Sequence, residues 1–240
     1  MIAGVDVALV RAANPGPLTL TGTNTWLFGR DPCWIVDPGP ALDEHLDAVA
    51  AEAAARGGAG GIAITHDHPD HVEGLAPLRA RLGGDALPVA SDGELGPLRA
   101  LATPGHSPDS VTWLAGRAAF TGDAVLGSGS VFVFAQLGEY LAALEQLRAL
   151  DLDLLLPGHG DPVLDPAARI GELIEHRLDR ERRLLAALDR GARTVDELLD
   201  DAWSDAPPAL RLPATVTLGA HLDKLAAEGR LPAGVERPRF

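Results

Sequence analysis

The 240-residue chain has one cysteine (Cys33), one tyrosine (Tyr140), one lysine (Lys224) and only 4% aromatic residues. A single cysteine excludes an intrachain disulfide framework and a cysteine-rich zinc ribbon. It makes the reducing cytoplasm the expected compartment. No apolar run approaches the ~20 residues of a membrane helix. The N-terminus has no basic stretch leading into an apolar core, so no signal peptide is expected. Positive charge is also scarce: 20 Lys and Arg stand against 34 Asp and Glu, a formal net charge of −14. That balance disfavours nonspecific binding to nucleic acid or to an anionic membrane.

What remains is the composition of a folded protein, 46% apolar and 22% charged, which excludes a disordered chain. The charge is unevenly placed. Residues 1–165 hold 8 basic and 21 acidic residues, whereas residues 166–240 hold 12 and 13. A turn-rich stretch, Pro157-Gly158-His159-Gly160-Asp161-Pro162, comes just before the change. We therefore expect a first domain over 1–165 and a second over 166–240.

In the first part, short apolar runs at Val5–Val10, Asn24–Phe28, Cys33–Val36, Ile62–Thr65, Leu98–Ala102, Val111–Leu114, Ala118–Thr121, Ser130–Phe134 and Leu152–Leu156 predict strands. Leu42–Arg56, Val72–Leu82 and Leu141–Leu150 predict helices between them. This α/β pattern suggests two sheets with helices packed outside. The second part predicts helices over Ala167–Arg190, Val195–Asp201 and Ala214–Glu228, with Thr194 and Glu197 forming a capping box. With a short strand at Arg230–Leu231, it fits a winged-helix-like module.

The strongest chemical signal is His66-Asp67-His68-Pro69-Asp70-His71, directly after a predicted strand. In an extended segment, residues two apart face the same side. His66 and His68 can therefore grip one ion, while Asp70 and His71, at the turn into a helix, can hold a second. Three further strands end in a glycine turn followed by a ligand-capable side chain: Gly105-His106, Gly122-Asp123 and Gly158-His159. Imidazole and carboxylate suit Zn²⁺, Mn²⁺ or Fe²⁺.

With these motifs in this order, the sequence resembles the metallo-β-lactamase superfamily. Asn14-Pro15-Gly16-Pro17, Thr19–Thr25 and Gly122–Gly127, together with Arg177–Arg183 and His221–Arg230, resemble the branch with a C-terminal winged-helix domain, which includes an endoribonuclease. The resemblance spans essentially the whole chain. It implies an αββα sandwich with a small C-terminal helical domain. It also implies two divalent metal ions, Zn²⁺ foremost, with His66, His68 and His106 on one, Asp70, His71 and His159 on the other, and Asp123 bridging them. A metal-bridging hydroxide would be the nucleophile, oriented by Asp70. One departure is the short link Val89–Leu98, where the family has a longer hairpin.

The expected substrates are small-molecule or oligonucleotide phosphoesters, single-stranded RNA among them by resemblance. Thioesters, lactones and β-lactams are the alternatives. The absence of a tyrosine just after Asp123 lowers the lactone reading. A reading from another class is a winged-helix nucleic-acid-binding regulator with a vestigial site. The near-zero charge of the second domain makes duplex DNA an unexpected partner; shielding of the cleft or homodimerisation is the expected role.

Other residues have plainer readings. Cys33 is expected in the core. His45 and His176 are expected on the surface, and His221 in helix packing. Asp67 reads equally as a group supporting a ligand histidine or as a solvated loop residue. Arg177, Arg180, Arg182 and Arg183, interleaved with acids, read as a salt-bridged helix face rather than as phosphate contacts. Phe132 and Phe134 alternate with valines as in a core strand, and are also the candidate substrate walls, since the segment follows Asp123.

Overall fold

The computed structural model describes residues 1–239. Ten strands form two five-stranded sheets. The first runs β1 (Val7–Arg11), β2 (Asn24–Phe28), β3 (Cys33–Val36), β4 (Ala59–Ala63), β5 (Val89–Ala90) in that spatial order. The second runs β10 (Leu154–Pro157), β9 (Ala118–Gly122), β8 (Val111–Ala115), β7 (Leu98–Ala102), β6 (Glu94–Leu95). Pairing is parallel for β3–β4, β4–β5 and β9–β10 and antiparallel elsewhere.

Both faces of each sheet are covered, and alternating side chains show why. Trp26 on β2 and Leu154 and Leu156 on β10 point between the sheets, into a core with Val36, Trp113 and Phe120. Their neighbours point outward. Leu27 and Ile35 meet Leu46 and Val49 of α1 (Asp43–Ala55) and Leu78 of α3 (Leu75–Leu82). Leu155 and Ala119 meet Tyr140 and Leu144 of α4 (Leu137–Ala149) and Ile170 and Leu173 of α5 (Pro166–Asp189). The result is the expected helix–sheet–sheet–helix layering, with Cys33 fully buried.

The C-terminal half of α5 turns to another core. Leu184 and Leu188 pack with Leu198 and Leu199 of α6 (Val195–Ala202), with Trp203 at its end, and with Leu218, Leu222 and Leu225 of α7 (Arg211–Ala227). The Thr194–Glu197 capping box is present. Glu181, 7% exposed, accepts from Lys224 at 2.6 Å and Arg230 at 2.9 Å, tying α5 to the end of the chain. No helix among the described residues is long and apolar enough to cross a membrane.

Several expectations need correction. Ser130–Phe134 is not a strand. Its backbone groups are taken by other partners: the Phe134 N–H donates to Gly105 O, while the Val131 and Phe132 carbonyls accept from Arg177 and His106. The helix predicted over Val72–Leu82 is two, α2 (Pro69–Val72) and α3, because the Gly74 N–H turns aside to donate to Gly39 O at 2.8 Å. Arg230–Leu231 forms no strand. The Val89–Leu98 link holds β5 and β6 and carries the chain from one sheet to the other. His45 is not on the surface: it is 5% exposed and its Nε2 lies 3.0 Å from Thr25 Oγ1, under the Asp37–Pro40 turn.

Candidate metal centre

The strands end on one side of the sandwich, and four turns bring His66, His68, Asp70, His71, His106, Asp123 and His159 together there. Within each of the groups His66–His68–His106, His66–His71–Asp123 and Asp70–His71–His159, one ligand atom per residue lies within 4.8 Å of the others. His68 Nδ1 is 3.1 Å from His66 Nε2 and 2.9 Å from His106 Nε2. On the other side, His71 Nε2 is 3.3 Å from His159 Nε2 and 3.5 Å from Asp70 Oδ2. Asp123 lies between the groups, Oδ1 3.5 Å from His71 Nε2, and Oδ2 3.6 Å from His106 Nε2 and 3.3 Å from His159 Nε2. Zinc–nitrogen bonds of 2.0–2.1 Å at tetrahedral angles would place two ligand atoms about 3.3 Å apart. These separations fit that spacing.

Outer hydrogen bonds fix which nitrogen faces inward. His71 Nδ1 donates to Asp37 Oδ2 at 2.8 Å, His106 Nδ1 to Phe132 O at 3.2 Å and His159 Nδ1 to Gly22 O at 3.3 Å. Thr65 Oγ1 donates to Asp37 Oδ2 at 2.7 Å and so accepts from His66 Nδ1 at 3.0 Å. In the neutral tautomers these bonds select, four Nε2 lone pairs converge with two carboxylates and the His68 Nδ1. Asp123 Oδ1 is buried with no hydrogen-bond partner. Buried acceptors converging without donors are a site built for cations.

Before a cation enters, protonated imidazole balances the carboxylates instead. Burial would raise the Asp123 pKa, but the imidazoles of His71 and His159 overcome it and hold the carboxyl far below its usual range. Asp70 is likewise lowered against its burial by His159, His71 and Thr23. Burial, then the nearby His71, pushes His66 down to about 2. His159 is raised to about 10: burial opposes this, but its bonds to Asp123 and Asp70 prevail.

Local sequence explains the rigidity. Gly122 turns with φ +48°. Gly158 is needed for space: a Cβ there would sit 2.6 Å from both Asp123 Oδ1 and His71 Cε1. Tyr140 lies beneath the site, donating to Ala124 O at 2.8 Å. Asp70 is braced by Thr23, whose hydroxyl donates at 2.9 Å and is itself held by Asn14. Asn24 donates to Pro157 O and Gly160 O, fastening the His159 turn to β2.

Asp37, Thr23 and Asn14 are the functional residues that sequence reasoning missed. Asp37 also ends a strand at a Pro-Gly turn, but it precedes the turn, whereas His106 and His159 follow theirs. Asp67 is exposed, and its backbone N–H, rather than its carboxylate, is engaged, with Asp109. It is the solvated loop residue. Phe134 is 51% exposed, its ring 5.8 Å from His106 and 6.5 Å from His68, on the rim of the centre. Phe132 is half-buried on the far side of the same segment.

The arginines divide. Arg182 and Arg183 form the expected ion pairs with Asp179. Arg177 and Arg180 do not belong to that solvated face: they are 3% and 7% exposed. His176, expected on the surface, is half-buried against a cavity, whereas His221 is fully buried in helix packing, as expected.

Known proteins resemble this chain in sequence and in fold. Residues 89–159 match the metallo-beta-lactamase superfamily and residues 194–232 the beta-lactamase associated winged helix domain. The chain is 34% identical to a beta-lactamase-like protein 2 homolog of Caenorhabditis elegans, over 98% of this chain and 87% of that one. The chain therefore belongs to the metallo-β-lactamase superfamily of hydrolases, in a form that carries the associated winged helix. It is also 32% identical to an atrochrysone carboxyl ACP thioesterase of Aspergillus chevalieri, over 84% of this chain and 74% of that one. Among solved structures, a beta-lactamase domain protein from Burkholderia ambifaria shares the fold with a TM-score of 0.75 at 21% identity, covering 95% of this chain and 89% of that one.

Asp37 gives a direct check on the support of the centre. Asp37→Ala should weaken metal affinity by about 10–100-fold, as loss of a carboxylate behind a ligand histidine does. Chelator competition measures it.

Proposed function

We propose that this chain is a dinuclear metal-dependent hydrolase of phosphoesters, single-stranded RNA among them. The observation that carries the dinuclear reading is Asp123: a buried carboxylate with an orphaned oxygen, placed between two sets of inward-facing ligands. His66, His68 and His106 would hold one ion, Asp70, His71 and His159 the other, and Asp123 both. Zn²⁺ is the first choice, with Mn²⁺ and Fe²⁺ compatible. When bound, two such ions supply an activated water and Lewis acidity.

The chain's own residues do the rest. Asp70, half-exposed and fixed by Thr23, presents its carboxylate where an attacking water is oriented. Phe134 offers an exposed aromatic edge on which a base or acyl group can rest. An anionic ester is favoured by charge: two divalent ions would outweigh the carboxylates of Asp70, Asp123 and Asp37 and leave the cleft locally positive in a chain of net charge −14. Phe134→Ala is therefore expected to raise KM about tenfold with little change in kcat, the loss of one stacking contact. Steady-state kinetics on a short oligonucleotide checks it.

A second reading, hydrolysis of carrier-bound thioesters, is favoured by the thioesterase name of the Aspergillus chevalieri relative. The regulator reading has less support. In the C-terminal module Arg182, Arg183, Arg190, Arg211 and Arg230 are each paired with a carboxylate. Groove binding needs such cations free.

The test is kcat/KM of metal-loaded protein on bis(p-nitrophenyl) phosphate, a single-stranded oligoribonucleotide and an acetyl thioester of pantetheine. Phosphoester turnover at least tenfold above thioester turnover supports the first reading. The reverse order transfers it to the second.

A further inference from the structure

A second polar site lies behind the metal centre. The segment Leu126–Phe134 is a strap with two sides. Toward the metals, the Phe132 carbonyl accepts from His106 Nδ1. Toward α5, the Leu126 and Gly129 carbonyls accept from Arg169, and the Val131 carbonyl and Ser130 hydroxyl accept from Arg177. Between this strap and the C-terminal helices is a cavity of about 200 Å³, lined by Ser130, Phe132, His176, Arg177, Arg180 and Trp203 among others. At ~30 Å³ per water, it has room for a group of several heavy atoms.

Its charge is unbalanced. Arg177 is buried and, among the described residues, meets no carboxylate and leaves its Nε without a partner. Arg180 is buried too. Its terminal nitrogens reach Ala202 O and the carboxylate of Asp205, but its Nε is also unpartnered. Asp205, the acid at the cavity wall, is already shared between Arg180 and Arg183. The two histidines beside them are held in the neutral form and leave the guanidinium charge unchanged. Burial first, then Arg177, lowers His176 to about 4 and His221 to about 3. Neither ring nitrogen of His221 has a partner. A buried guanidinium without a counter-ion is costly, and the remedy is an anion. Guanidinium forks match phosphate oxygens, and Trp203, with Arg180 stacked 5.7 Å from its ring centroid, closes one wall.

We propose that this cavity is a phosphate subsite in which Arg177, supported by Arg180 and Ser130, receives a phosphate group. Its position just across the strap from His106 makes a second phosphate of a substrate bound at the metals the natural occupant, and this part rests on the phosphoester reading above. Free inorganic phosphate presents the same chemistry.

The test uses full-length, metal-loaded protein labelled with ¹⁵N-arginine. The Arg177 Nε–H signal is assigned by its disappearance in Arg177→Lys. Wild type and Asp123→Ala are titrated with inorganic phosphate and, separately, with a thymidine tetranucleotide, against chloride at equal ionic strength. We expect a saturable shift of this signal that persists in Asp123→Ala, where the bridging metal ligand is gone. Saturation by the tetranucleotide at a concentration at least tenfold below that of phosphate identifies a substrate-borne group. Saturation by phosphate alone identifies the free ion. No shift with either, or a shift that vanishes in Asp123→Ala, overturns the proposal. None of these readouts depends on turnover, so a failed phosphoester reading would be recognised separately.

Discussion

Asp123→Ala is expected to reduce hydrolysis by about a thousandfold or more and to lower bound metal from two ions per chain toward one. Its two oxygens lie within 3.3–3.6 Å of nitrogens on His71, His106 and His159. Each ligand set keeps three other side chains when Asp123 is lost, so single-ion binding survives in part. What disappears is the link between the two ligand sets, and with it the joint Lewis acidity that two bound ions would supply. Loss of one well-placed electrostatic element typically costs 10²–10³ in kcat; here the loss extends to the centre's assembly. Metal content by mass spectrometry, read beside kcat, checks both halves. Full activity with one ion per chain would mean that the second set is not catalytic.

Gly158→Ala should have an effect of similar size from a residue with no side chain. The added Cβ would lie 2.6 Å from Asp123 Oδ1 and His71 Cε1 and 3.1 Å from the Gly122 carbonyl carbon. None of these neighbours can yield easily. His71 is fully buried and held by Asp37, Asp123 is 7% exposed, and Gly122 is backbone. Overpacking of this kind costs about 1–3 kcal/mol, and here it is relieved by displacing ligands. We expect strong loss of metal binding and activity, with a fall in unfolding free energy of that order. Denaturant unfolding and metal titration on the same sample separate the two effects. Gly138, on the exposed face of α4, has open space around its Cβ position, so Gly138→Ala is the control that should leave metal binding unchanged and stability undiminished.

The centre was legible in the sequence because its geometry is local. His66 and His68 share a face through two-residue periodicity, and His106, Asp123 and His159 each follow a strand end and a glycine. The layered fold was legible through the alternation in β2 and β10 and through the helical runs behind them. What escaped depends on contacts distant along the chain. Asp37 supports His71 from 34 residues away. His45 reads as an ordinary helix residue until the turn at Gly39 covers it. Ser130–Phe134 has a strand's alternation, but His106, Gly105 and Arg177 claim its backbone, and no ladder forms. Arg177 and Arg180 sit among acids in sequence, yet the helix turns them inward while Arg182 and Arg183 keep the surface partners. The acidity of the chain also reads differently once Asp70 and Asp123 are placed at the centre, where bound cations would neutralise them.

The measurement that bears most directly on the account is the dependence of phosphoester hydrolysis on metal stoichiometry. Protein stripped with a chelator and titrated with Zn²⁺ or Mn²⁺ is predicted to bind two ions per chain. Activity should be absent without metal and complete only as the second equivalent binds. Undiminished hydrolysis by metal-free protein, or saturation of activity at one ion per chain, would contradict a dinuclear hydrolytic centre.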